Sequence, residues 1–295
     1  MAVGSAACVS APIIQLFANS NIKSMFPVAL TIAGSDNSAG AGAQADLKTM
    51  SALGVYGVTA ITCVVAEVPG KVSAIQAIEP RIVAEQIRLS FEAFPIGALK
   101  TGMLYSSEII DVVCDTLSAC LKASRLRPPI VVDPVMVATS GDALLKRDAV
   151  VLYRERLFPM ATLITPNLDE VHTLLGRPIT SLEEMRDAGR ELAAGYDRAF
   201  LIKGGHLRLD PAIDLLCMPD GTVQEFSAPF VQGISTHGTG CTYAAAITAG
   251  LAKGLALPEA VGAAKQFLAN AVSQFLRWTH HGRTTDALHH FASRP

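Results

Sequence analysis

The sequence predicts an α/β protein built on a mostly parallel sheet. Two observations carry this: from Val28 onward, short runs rich in β-branched and apolar residues alternate with longer amphipathic ones, and the short runs are apolar almost throughout, as strands covered on both faces must be. A third supports it, because glycine and polar residues gather just after the short runs, where open parallel sheets bind ligands.

In chain order, residues 28–33 form the first predicted strand, followed by a glycine-rich loop and a helix over 42–53. Gly40-Ala41-Gly42-Ala43-Gln44-Ala45 fits the G-x-G-x-x-A pattern of a dinucleotide loop, but its first glycine lies several residues past the strand. A wider loop wrapped around a small substrate fits that spacing better. Strands follow at 57–66, 98–100, 130–133, 162–165 and 199–203, and helices at 80–93, 107–122, 147–157, 168–175 and 181–194. Residues 212–227 differ: two short apolar runs flank Asp220-Gly221, a turn dipeptide, which predicts an antiparallel hairpin at a sheet edge. Helices over 240–253 and 258–278 complete the chain, with Trp278 as a packing residue. Residues 1–25 lack a clear period and read as a loose extension, leaving 26–295 as one domain.

Of the 295 residues, 50% are hydrophobic and 17% charged, which excludes disorder as a description of the whole chain. The 24 basic and 26 acidic residues leave a net charge of −2, so nucleic acid is not expected as a partner. No apolar stretch reaches the roughly 18 residues a membrane helix needs, so no membrane partner is expected either. The six cysteines form no C-x-x-C pair and no zinc spacing with histidine, which points to free thiols and a cytoplasmic location.

Reading the residues after each strand gives the candidate chemistry. His237-Gly238-Thr239-Gly240-Cys241-Thr242 precedes a helix-forming run, so the open N–H groups of the first turn offer an anion both donors and a partial positive charge. A cysteine in that turn is expected to have a lowered thiol pKa. Asn167 and Glu170 have the spacing of a capping box, and their place after a strand equally suits Glu170 to a hydrated Mg²⁺. Asp133, at the end of an apolar strand, must be paired, solvated or near a metal. Lys203 ends another strand before two glycines, where its ammonium either neutralises a phosphate or snorkels. His237 and the carboxy-terminal histidines have no metal spacing and receive no role.

Together, Ala33-Gly34-Ser35-Asp36, Gln44-Ala45-Asp46-Leu47-Lys48, Lys100-Thr101-Gly102-Met103, Asp133-Pro134-Val135-Met136-Val137, Thr165-Pro166-Asn167-Leu168, Lys203-Gly204-Gly205-His206 and His237-Gly238-Thr239-Gly240-Cys241-Thr242 resemble the hydroxymethylpyrimidine and hydroxymethylpyrimidine-phosphate kinases of thiamine biosynthesis, in the ribokinase-like superfamily. That resemblance implies a sheet with helices on both faces, ATP and Mg²⁺ as cofactors and a homodimer. It also implies an anion hole formed by Gly238, Thr239, Gly240 and Cys241 with Cys241 as base, Asn167 and Lys203 near the nucleotide phosphates, Asp133 and Glu170 near the metal, and a pyrimidine among Gly34, Asp46, Glu67, Met103 and Val135. Pyridoxal kinases of the same cysteine-containing branch share nearly all these motifs, and a non-catalytic ligand-binding relative is the other alternative. The chain departs from the family in two places. It carries Glu67 where enzymes acting on the free alcohol commonly carry Gln, and Thr284-Thr285-Asp286 where a glycine-containing stretch is usual.

Overall fold

A computed structural model describes residues 26–124, 126–136, 147–207, 209–233 and 237–291. The expected extension over 1–25, Val137 of the fourth motif and Thr236 lie outside the described residues. The strands are β1 (Val28–Asp36), β2 (Tyr56–Val68), β3 (Lys71–Ala77), β4 (Ile96–Thr101), β5 (Ile130–Val132), β6 (Leu163–Ile164), β7 (Ala199–Lys203), β8 (Ala212–Cys217) and β9 (Val223–Ala228). They form one sheet in the order β3-β2-β1-β4-β5-β6-β7-β8-β9. From β2 to β7 neighbouring strands are parallel, while β3, β8 and β9 are antiparallel additions at the two edges. The chain reverses its direction of strand addition at β1, between β2 and β4, which makes the loop after β1 the switch point where α/β sheets bind ligands.

Successive strand residues point to opposite faces, and the core divides accordingly. Leu99, Val132, Phe200 and Ile202 join one apolar cluster with α2 (Pro80–Ala93), α3 (Ser107–Ala123) and α6 (Leu182–Tyr196). Their neighbours Ala98, Val131 and Leu201 join the cluster on the other face with α7 (Thr239–Ala252) and α8 (Leu257–Ser273). α1 (Gly42–Ala52) lies beside α7, where Met50 packs on Ala245 and Ala249. Every residue of α7 from Thr242 to Leu251 is buried, and its Ala, Gly and Thr content lets it run close under its neighbours. Pro80 starts α2 at a position where a missing N–H costs nothing, and Gly176 closes α5 (Leu168–Leu175) in the left-handed region at φ 72°. The remaining helix, α4 (Arg147–Leu152), continues into a π turn at Tyr153–Leu157.

Three sequence expectations need correction. β3 has no counterpart among the predicted strands, because four consecutive exposed residues, Lys71 to Ala74, leave no alternation of burial to see. The last helix stops at Ser273 rather than 278; residues 276–280 instead become β10 (Leu276–His280), paired antiparallel with β11 (Arg283–Ala287). The Arg277 guanidinium closes that hairpin onto Asp286 at 2.7 Å. Trp278, read as a packing residue, is 53% exposed on β10 and lines a cavity of about 290 Å³ with Lys48, His237 and Phe291.

Candidate active site

At the switch point β1 delivers Asp36, which organises the loop that follows. Its Oδ1 accepts the Ser38 N–H at 2.6 Å, and its Oδ2 accepts the N–H groups of Gly40 at 3.1 Å and Ala41 at 2.8 Å and the Ser38 hydroxyl at 2.9 Å. The His237 Nε2 stands 3.3 Å from the same Oδ2. Burial opposes the charge on Asp36, yet the bonds from His237, Ser38 and Ala41 hold its carboxyl well below the usual carboxylate range. Sequence reasoning gave neither Asp36 nor His237 a role. The signal available was the one used for Asp133, a carboxylate ending an apolar strand.

That loop packs against the first turn of α7. Gly238 has φ +83°, and a methyl group there would stand 1.8 Å from the Gly40 carbonyl oxygen, so only glycine lets the two loops meet. The Thr242 N–H bonds the Gly238 carbonyl at 2.9 Å, while the N–H groups of Thr239, Gly240 and Cys241 precede the first complete helical bond and form the positive end of α7. A methyl group at Gly240 would lie 3.4 Å from Lys203 Nζ and 3.6 Å from Asp133 Oδ2, which brings the ends of β5 and β7 to the same turn.

There Lys203 Nζ donates to Asp133 Oδ1 at 2.9 Å, and the Thr165 hydroxyl donates to the same oxygen at 3.2 Å. Burial alone would lower the Lys203 pKa, but Asp133 and Glu170 raise it above the ordinary lysine value, so its charge persists. Asn167 and Glu170 form a full capping box: the Glu170 N–H bonds Asn167 Oδ1 at 2.9 Å, and the Asn167 N–H bonds Glu170 Oε2 at 2.8 Å. Glu170 is also buried, and desolvation, opposed by Lys203 and reinforced by Asp133, pushes its carboxyl up to about 8. Glu170 therefore fills the cap with a carboxyl that rests largely protonated near neutral pH.

The thiol of Cys241 behaves contrary to expectation. Burial pushes it up to about 11, with Lys100 pulling down and Asp46 and Asp133 pushing further up. The helix end is outweighed by desolvation and two carboxylates, so the resting group is a protonated thiol.

The structure scatters the proposed pyrimidine contacts over two layers. Gly34 and Met103 adjoin one another, since a methyl at Gly34 would meet Cys63 Sγ at 2.8 Å and Met103 Sδ at 3.8 Å. Val135 is partly exposed beyond β5. Glu67 is half-buried at the end of β2, where its N–H bonds Asn37 Oδ1 at 2.6 Å. Burial and then Asp36 raise its carboxyl pKa, while His237 lowers it. Asp46 lies deeper than the sequence reading placed it. It is fully buried, accepting two 2.9 Å bonds from Lys100 Nζ and one of 2.6 Å from the Thr31 hydroxyl.

The assembled geometry is a glycine turn of helix donors beside a lysine and two acidic side chains, with Gly34 and Met103 adjoining one another at the switch point. It suits transfer of a phosphoryl group to a small ring-bearing alcohol. The family model for phosphomethylpyrimidine kinase matches residues 36–286. A hydroxymethylpyrimidine/phosphomethylpyrimidine kinase of Rhizobium meliloti is 44% identical over 268 residues, covering 90% of this chain and 98% of that protein. A thiamine biosynthesis bifunctional protein of Geobacter sulfurreducens is 43% identical over 244 residues, 82% of this chain and 48% of that one. Among solved structures, the ADP complex of Bacillus subtilis pyridoxal kinase superposes with a TM-score of 0.80 at 33% identity, covering 91% of this chain and 99% of that one.

Proposed function

The chain belongs to the phosphomethylpyrimidine kinase family and is a phosphotransferase of the ribokinase-like fold, and from that premise we propose that it phosphorylates 4-amino-5-hydroxymethyl-2-methylpyrimidine, its monophosphate or both, using ATP, in thiamine biosynthesis. The observation that carries this reading is the meeting of the α7 turn, Lys203 and Asp133 at Gly240. Residues 26–295 act as one kinase domain, a reading supported by the family match over 36–286.

Phosphoryl transfer asks for positioning and charge neutralisation rather than covalent chemistry. The N–H groups of Gly238, Thr239, Gly240 and Cys241 hold charge developing on the moving group. Lys203, bonded to Asp133 but 15% exposed, can turn to a phosphate oxygen, and Asn167 borders the same edge. Asp133 gives Oδ1 to Thr165 and Lys203 while Oδ2 faces Gly240, so Asp133, with Glu170 once it has lost its proton, would hold Mg²⁺, which would supply positive charge to neutralise the nucleotide phosphates. Cys241 stands beside the substrate hydroxyl and takes its proton as the thiolate, the minority form at neutral pH. Gly34, Glu67, Met103 and Val135 wall the ring, with the Asp46–Lys100 pair beneath it.

Val64, Ala66 and Val68, alternate residues of β2 that are all exposed, support a homodimer, because monomers seldom leave such an apolar face open. Five described cysteines are free thiols, which supports a cytoplasmic, reducing setting. Pyridoxal is the second substrate to weigh, since the solved pyridoxal kinase matches over 91% of this chain. An ADP-release assay comparing the pyrimidine alcohol, its monophosphate and pyridoxal decides: kcat/KM at least tenfold higher for a pyrimidine supports the proposal, and the reverse order overturns it.

A further inference from the structure

Glu67 introduces a charge problem that the surrounding side chains answer. A carboxylate oxygen of Glu67, one of Asp36 and a ring nitrogen of His237 all lie within 4.8 Å of one another. Asp36 cannot relieve the repulsion by taking a proton, because two backbone N–H groups and the Ser38 hydroxyl converge on Oδ2 alone. An amide at position 67 would feel no such repulsion. The carboxylate does, and the imidazole within reach of both acids belongs to the residue immediately before the glycine turn.

We infer that His237 is the positioning residue that makes Glu67 usable for substrate recognition: the imidazolium balances Glu67 against Asp36 and so holds the Glu67 carboxylate ionised toward the ring. This rests on the reading of Glu67 as part of the substrate wall. An ionised carboxylate only accepts hydrogen bonds, so the ligand edge it selects presents donors, an exocyclic amine beside a protonated ring nitrogen, where an amide would take a donor and an acceptor. The loop itself does not need His237, since Asp36 is already bonded to Ser38, Gly40 and Ala41. Asp36 bonding, against burial, and the Glu67 charge raise the His237 pKa above the ordinary imidazole value; burial and Asp36 raise the Glu67 pKa, and His237 opposes that rise.

A double-mutant cycle on the full chain tests this, with His237→Gln, Glu67→Gln and both. His237→Gln should raise KM for the pyrimidine substrate about tenfold while KM for ATP stays within about twofold. In the Glu67→Gln background the same substitution should change the pyrimidine KM less than about threefold. Equal factors in the two backgrounds, or an ATP KM that rises with the pyrimidine KM, would overturn the inference. A measurement that needs neither turnover nor a His237 variant stands beside it: the His237 proton resonance should titrate at lower pH in Glu67→Gln than in the unmutated chain, and an unchanged midpoint overturns the charge balance. Absence of pyrimidine turnover by the unmutated chain sinks the substrate reading instead, so the two failures are told apart.

Discussion

Asp46–Lys100 and Asp133–Lys203 are alike in chemistry, each with an ammonium 2.9 Å from a carboxylate oxygen, but the first joins α1 to β4 and the second joins the end of β5 to the end of β7. They differ in access. The side chains of the first pair are 0% exposed on both sides, whereas Lys203 is 15% exposed and opens on the glycine turn. A pair sealed from water and anions cannot exchange partners, and losing either member strands a charge in the core. A pair whose lysine reaches the surface can exchange its partner. Like ion pairs thus differ in what they can do according to whether one partner reaches the surface.

The sharpest way to break this comparison is to remove one charge from each pair. Asp46→Asn should destabilise the fold by about 3–5 kcal/mol, the usual cost of stranding a buried partner, and a urea titration reads it directly. Lys203→Met should cost less stability than Asp46→Asn, because Thr165 still donates to Asp133, and should cut kcat by about two to three orders of magnitude, the scale for losing one electrostatic donor to the transition state. If Lys203→Met unfolds the protein as Asp46→Asn does, the Asp133–Lys203 pair is structural and the phosphate role belongs elsewhere.

Cys241 sits between the two pairs and reports on both. Cys241→Ala should lower kcat about a hundredfold with little change in stability. Because its thiol is pushed up to about 11, the ionised form grows as pH rises through the alkaline range. The rate of the chemical step should therefore climb from pH 7 to 9.5, and Cys241→Ala should flatten the climb. A flat profile in the unmutated enzyme would mean that the substrate proton leaves without help from this thiol.

The same contrast explains what the sequence made legible. Elements with an end signal or a two-faced apolar run were readable, as with α2 behind Pro80, α5 between Asn167 and Gly176, and β7 at Ala199–Lys203. The glycine turn ahead of α7 was readable because its glycines and the helix after it are contiguous. Pairings were not: Asp46 meets Lys100 across 54 residues and His237 meets Asp36 across 201, and no local pattern encodes either. Desolvation was equally invisible, so Cys241 was given the sign of the helix end alone. β10 and β11 were missed because the alternation of Leu276, Arg277, Trp278 and Thr279 is too short to stand out from the helical run before it, and every residue of β10 is exposed.

A neutral contact behind the same turn sharpens the comparison with a smaller effect. His290, 3% exposed, has its Nε2 3.0 Å from the Thr242 hydroxyl, one residue past Cys241, so the carboxy-terminal segment braces α7 without a charge. Burial first, then the Lys48 charge, depresses its pKa to about 4. The unfolded chain, with an ordinary imidazole near 6.5, binds more protons between those values than the folded one does. Stability from a neutral His290 is thus fully present above about pH 6.5 and is lost as pH falls toward 4. His290→Gln cannot take up that proton, so relative to the unmutated protein it should gain about 1–2 kcal/mol between pH 7 and pH 5. Urea midpoints at the two pH values measure the difference. A gap between the two proteins that does not change with pH would show that His290 keeps its ordinary titration when folded, and that the brace on α7 tolerates charge after all.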